Sequence, residues 1–190
     1  DTNGLNRRDD VMFTGQLPSQ FLSRYCGWDD TVPLDMTQAT LMSMFKTSLS
    51  FAPDYYAPKY FDLQMMSSVD IPGSQCFPFQ LECFTAMSAI QAGYVADGLD
   101  IMKHIQLVHL RNGWTWSQNI WNPAELTYMS APVTWFITDV LSGAALDIPT
   151  GTLTLGPTVL PGEDNLTVPL YFPRFWAQLD YQPSSGKASL

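Results

Sequence analysis

The chain has 190 residues, of which 14% are charged and 46% hydrophobic, and its formal net charge is −9. That is well below the roughly 25% charge of an average soluble domain, and 11 Phe, 8 Tyr, 6 Trp and 9 Met supply more apolar matter than a disordered chain carries. The one basic pair, Arg7-Arg8, runs straight into Asp9-Asp10, which excludes a phosphate-binding, nucleic-acid scaffold built on clustered cations.

Residues 1–10 are polar and turn-like. Apolar residues then recur at helical spacing from Val11 to Tyr25 (Met12, Leu17, Phe21, Leu22, Tyr25), with Pro18 marking a kink or the true helix start and Gly27 the stop. The spacing predicts a second helix over Asp35–Leu49, with Asp35 and Thr37 as cap candidates. Residues 50–77, punctuated by Pro53, Pro58, Pro72 and Gly73, read as a long loop of the kind that carries function. A third helix is predicted from about Pro78 to Ala92, and a fourth from about Ala96 to Leu110 with Ile101, Ile105, Val108 and His109 inward and Asn112-Gly113 as its end. Residues 114–130 form an aromatic loop. Pro132 opens a fifth helix through Trp135, Phe136 and Val140 to Gly143. Beyond Gly143 the period changes from helical to two, over Thr152–Leu155, Leu166–Phe172 and Phe175–Tyr181, which predicts strands. Ser184–Leu190 reads as a frayed tail.

No apolar run reaches the ~20 residues of a membrane span. The chain opens Asp1-Thr2-Asn3-Gly4 with no initiator methionine, which reads as a processed or truncated end. Cys26, Cys76 and Cys83 are too few for a disulfide scaffold, and one pair plus a thiol or three thiols both fit. No metal or cofactor is expected. The Cys76–Cys83 spacing is no zinc pattern, and His104 and His109, five apart, share no helical face. Asn165-Leu166-Thr167 fits a glycosylation acceptor and points to a secreted or lumenal chain.

The acidic residues that sit beside aromatics are the chemically suggestive ones. A sugar presents apolar C–H faces and hydroxyl edges, so its site combines aromatic platforms with carboxylates and amides. Cleaving a glycosidic bond adds a pair of carboxylates flanking it. Trp114, Trp116 and Trp121 with Gln118, Asn119, Asn122 and Glu125 have that composition, although tryptophans packed on neighbouring helices have it too. Asp9-Asp10 precede a helix, where a carboxylate is also an ordinary N-terminal charge.

The order of these segments resembles glycoside hydrolase family 116, which includes the non-lysosomal glucosylceramidases. Val11–Phe21, with Gly15-Gln16, resembles that family's helix-entry segment Asp-Gln-x-x-Gly-Gln-Trp. Gln80-Leu81-Glu82-Cys83-Phe84 resembles its next inner helix, Trp121-Asn122-Pro123-Ala124-Glu125 its Asn-Glu loop, and Tyr128–Trp135 its Tyr-Met-Arg-Pro-x-x-x-Trp helix. Leu141-Ser142-Gly143 and Gly151–Pro157 resemble the end of its catalytic domain. The resemblance implies a mainly α fold, the C-terminal part of an (α/α)6 toroid over residues 1–143, ending in a small antiparallel sheet over 144–190. It also implies hydrolysis of a β-linked glucoside with retention. Twelve helices close such a ring and about five are read here, so an N-terminal fragment of the same polypeptide is the expected partner and completes the site. On this reading Glu125 orients the sugar, Trp116 and Trp121 form platforms, and Gln16, Gln118 and Asn122 contact the ligand. Gly15 stands where the family has its general acid. Asp10 is then the substitute acid, or the chain is a catalytically inactive carbohydrate-binding or structural subunit.

Overall fold

The computed structural model describes residues 17–45, 79–112 and 131–190. Helix α1 spans Pro18–Tyr25 and α2 Leu34–Met44. Helices α3 (Phe79–Gln91) and α4 (Val95–Asn112) follow, then a 3-10 turn at Ala131–Trp135 running into α5 (Phe136–Ser142). Strands β1 (Ala145–Asp147) and β2 (Thr152–Thr154) form one antiparallel ribbon. Strands β3 (Leu166–Phe172), β4 (Phe175–Gln182) and β5 (Lys187–Ser189) form a three-stranded antiparallel sheet in that order.

This architecture corrects the expected fold class. The described residues are mixed, with helices and two antiparallel sheets, and not a mainly α portion of an (α/α)6 toroid. A toroid is a ring of repeated hairpins. Here one hairpin, α3–α4, forms the centre, and α1, the 3-10 turn and α5 pack around α3. The sheet has a separate small core of Val168, Leu170 and Leu179 and packs through β3 against α5. Helical periodicity shows that a face is buried but not against which partner, and this is where the expectation failed.

Local chemistry accounts for the boundaries. Pro18 sits at the first turn of α1, where its missing N–H costs nothing. Asp35 and Thr37 do not cap α2. Pro33 precedes it with no side-chain cap, and Thr37 lies inside the helix, 1% exposed. Gly98 lets α4 approach α3 closely, since a Cβ there would fall 2.5 Å from the Ala86 carbonyl oxygen. Gly143 ends α5 in the left-handed conformation at φ 56°, which glycine adopts without steric cost. Just beyond β2, Gly156 and Thr158 donate their backbone N–H groups to Ser142 and Leu141 at 3.0 and 2.8 Å, tying the β ribbon to the end of α5. Within the tail expected over Ser184–Leu190, Lys187–Ser189 instead forms β5, with Asp180 opposite Ser189 and Gln182 opposite Lys187.

The helical core is buried Phe21, Leu41, Phe45, Met87, Ile90, Ile101, Val133 and Val140 with small residues between. A polar clamp fixes α1 to the turn that follows. Gln20, 2% exposed, donates to Asp30 and accepts from Thr31 and the Val32 N–H. Arg24 grips the same Asp30 carboxylate through two nitrogens at 2.5 and 2.7 Å and donates to the Gln91 carbonyl at the end of α3. The fork holds the Asp30 carboxyl below the usual carboxylate range. Asp30 is thus the hub of this turn.

Candidate functional site

The end of α1, the 3-10 turn, α5 and β3 meet around a cleft of ≈640 Å³ lined by Tyr25, Thr134–Asp139 and Tyr171. A second hollow of ≈650 Å³ continues from it, bounded by Gly27, Ala144–Ile148, Thr154 and Pro173, and shares Tyr25, Asp139 and Tyr171 with the first. Those three residues therefore form the junction of one longer groove.

The floor is built from the core outward. Phe21 packs on Phe84, Phe136 and Tyr25, with ring centroids 5.4, 5.7 and 5.9 Å apart. Tyr25 meets the Phe136 ring edge-on at 4.8 Å, a favourable geometry for aromatic quadrupoles. This contact aims the Tyr25 hydroxyl at Asp139, and it donates to Oδ2 at 3.0 Å. Asp139 sits half-buried on α5, where burial raises its carboxyl above the ordinary value and the Tyr25 hydrogen bond opposes the rise only in part. Burial, with the nearby Asp139 charge and its hydrogen bond, pushes the Tyr25 hydroxyl up to about 12, so at neutral pH it stays a donor.

The walls are open. Trp135 is 69% exposed and Tyr171 60%, although aromatic side chains of this size are usually well buried. The cleft thus joins two exposed aromatic faces, a half-buried carboxylate and a fixed phenol. It can stack a flat apolar ligand face and accept hydrogen bonds from hydroxyls at its edge. Among the described residues no group of three or more His, Cys, Asp or Glu is placed to hold a metal ion.

The residues expected from sequence to form the site, namely Asp10, Gln16, Trp116, Gln118, Trp121, Asn122 and Glu125, all lie outside the described residues, as do Gly15, Cys76 and the long loop over 50–77. Cys26 is exposed and Cys83 is buried. Asn165 is exposed at the entrance to β3, and the Thr167 hydroxyl donates to Asp180 at 2.7 Å.

Sequence reasoning missed the cleft because its key pair, Tyr25 and Asp139, is separated by 114 positions. One local signal was available. Asp139 is the sole acid between Ala131 and Ser142 and lies four residues after Trp135, a spacing that puts two side chains on one helical face.

No helix among the described residues is long and apolar enough to cross a membrane. Comparison with protein-family models, curated proteins and solved structures finds no match to this chain.

Proposed function

We propose that this chain binds carbohydrate in the Tyr25–Trp135–Asp139–Tyr171 cleft as part of a glycoside hydrolase whose reacting carboxylates are completed by an N-terminal fragment of the same polypeptide. The observation that supports the reading most is the pairing of exposed Trp135 and Tyr171 with half-buried Asp139 in one cleft, because aromatic faces stack on sugar C–H surfaces while a carboxylate accepts from hydroxyls. The family resemblance supplies the reaction class, and on it Asp10 is the proposed substitute acid and Glu125 the carboxylate that orients the sugar, with the remaining reacting carboxylate on the N-terminal fragment. A second reading is a binding chain without catalysis. It is favoured by Gly15, which cannot donate a proton, at the position of the family's acid.

Trp135→Ala tests the proposal. Titrating the full chain with methyl β-glucoside and cellobiose by calorimetry is expected to give a saturable signal, weakened about tenfold in the variant, the loss of one good stacking contact. Equal affinity of the two proteins, or no binding by the unaltered chain to any member of a broad glycan array, rejects it. Chromogenic glycosides offered to the chain together with its N-terminal fragment then separate the hydrolase from the binding chain.

A further inference from the structure

The outer face of the β3–β4 sheet is not a plain solvent surface. Its inner residues Val168, Leu170 and Leu179 are buried. The alternate positions pair across the two strands as Tyr171 with Trp176, Pro169 with Gln178, and Thr167 with Asp180. Period-two alternation puts all six on one face. Trp176 is 81% exposed, the most open of the large apolar side chains among the described residues, and its ring meets Tyr171 edge-on at 5.9 Å. Next along the row, Gln178 donates Nε2 to both Asp180 oxygens at 3.2 and 3.1 Å, and Thr167 donates to Oδ1 at 2.7 Å. These bonds keep the Asp180 carboxyl below the ordinary range, so it stays ionised, and they turn the Gln178 carbonyl oxygen free of that contact. The face is therefore aromatic at one end and a fixed set of hydrogen-bond acceptors at the other.

From this we infer that the β3–β4 face carries further sugar rings of an oligosaccharide that enters the cleft, which makes the ligand a glycan chain and not a single glycoside. The inference rests on the cleft reading and deepens it. Tyr171 is the link, since it lines the cleft and also contacts Trp176, so the two surfaces are continuous. Trp176 to Asp180 spans roughly 13 Å along the strand, longer than one sugar ring. Trp176 stacks on a ring face, and Gln178 and Asp180 accept from hydroxyls at its rim. A purely apolar partner surface fits poorly, because it would bury the ionised Asp180 without a compensating charge.

The test compares cellohexaose with methyl β-glucoside on the full chain, with Trp176→Ala and Gln178→Ala as variants. Neither residue is part of a core, and an unchanged thermal midpoint confirms intact folding. The expected result is that both variants weaken cellohexaose binding, Trp176→Ala about tenfold, while methyl β-glucoside binding is unchanged. Unchanged cellohexaose affinity in both variants, with Trp135→Ala still weakening both ligands, overturns the extended surface and leaves the cleft standing. Equal loss of both ligands in Trp176→Ala also overturns it. If neither ligand binds the unaltered chain, the cleft reading and this inference fail together.

Discussion

Phe21→Ala is expected to lower stability by ~3–5 kcal/mol, the range for truncating a fully buried phenylalanine. Phe21 has no solvent exposure and touches the rings of Phe84, Phe136 and Tyr25, so it joins α1, α3 and α5 at one point. Truncation removes dispersion contacts on three sides, and close-packed surroundings collapse only partly into the space left. A native domain has only ~5–15 kcal/mol in reserve, so this change removes a large share of it. The measurement is a urea titration, in which the midpoint falls while the slope is unchanged. A loss below about 1 kcal/mol would show that α1 is not anchored as described, since a loss that small is typical of surface or adaptable sites. The variant also loosens Tyr25, so on the proposed carbohydrate reading affinity should fall with stability even though Phe21 itself does not line the cleft.

Asp139→Asn should move binding and stability in opposite directions. A hydrogen bond to a charged acceptor contributes about 1.5–3 kcal/mol, so losing the charge is expected to weaken sugar binding by roughly ten- to a hundredfold. Stability behaves differently because the Asp139 carboxyl is raised above its ordinary 3.8 by burial. The folded chain then holds a proton that the unfolded chain has already lost. The stability this group contributes is full below 3.8 and declines as pH rises through its raised folded value, staying low above it. Asparagine does not titrate, and its side-chain oxygen still accepts from Tyr25. Relative to the unaltered chain, the variant should therefore gain stability as pH rises from 3.8 through the raised folded value of Asp139, and keep that gain above it. Urea midpoints across that range read the effect. A variant that instead loses stability as pH rises would mean that the ionised carboxylate is stabilised by its surroundings, contrary to the burial described here. The opposed signs are the mark of a residue kept for function at some expense of stability.

How much of this was visible in the amino-acid order varies by element. The β3 and β4 strands were read nearly to the residue because Leu166–Phe172 alternates strictly between buried and exposed positions and Pro173-Arg174 breaks it. The end of α5 was visible in Gly143. Strand β1 was missed because three residues, Ala145–Asp147, are too few to show a period, and β5 because Lys187–Ser189 is exposed throughout and pairs only with β4. The ring architecture was wrong for a different reason. Order and spacing of helices were right for α1–α5, but nothing in a helical stripe says that α5 will be stitched to a β ribbon through Ser142 and Leu141. The cleft lay hidden because its residues come from three distant segments, and exposure of Trp135 and Tyr171 is a property of the fold and not of either tryptophan or tyrosine as a residue type.

The central claim is that the groove around Tyr25, Trp135, Asp139 and Tyr171 holds a sugar. Nuclear magnetic resonance spectra of the full chain, recorded as cellobiose is added, test it most directly. The predicted result is progressive, saturable shifts of the Trp135 indole and of the backbone amides of Tyr25, Asp139 and Tyr171, with the amides of α4 unmoved. Saturable shifts confined to other parts of the chain, or no shifts with cellobiose or the other sugars that the array nominates, would contradict it.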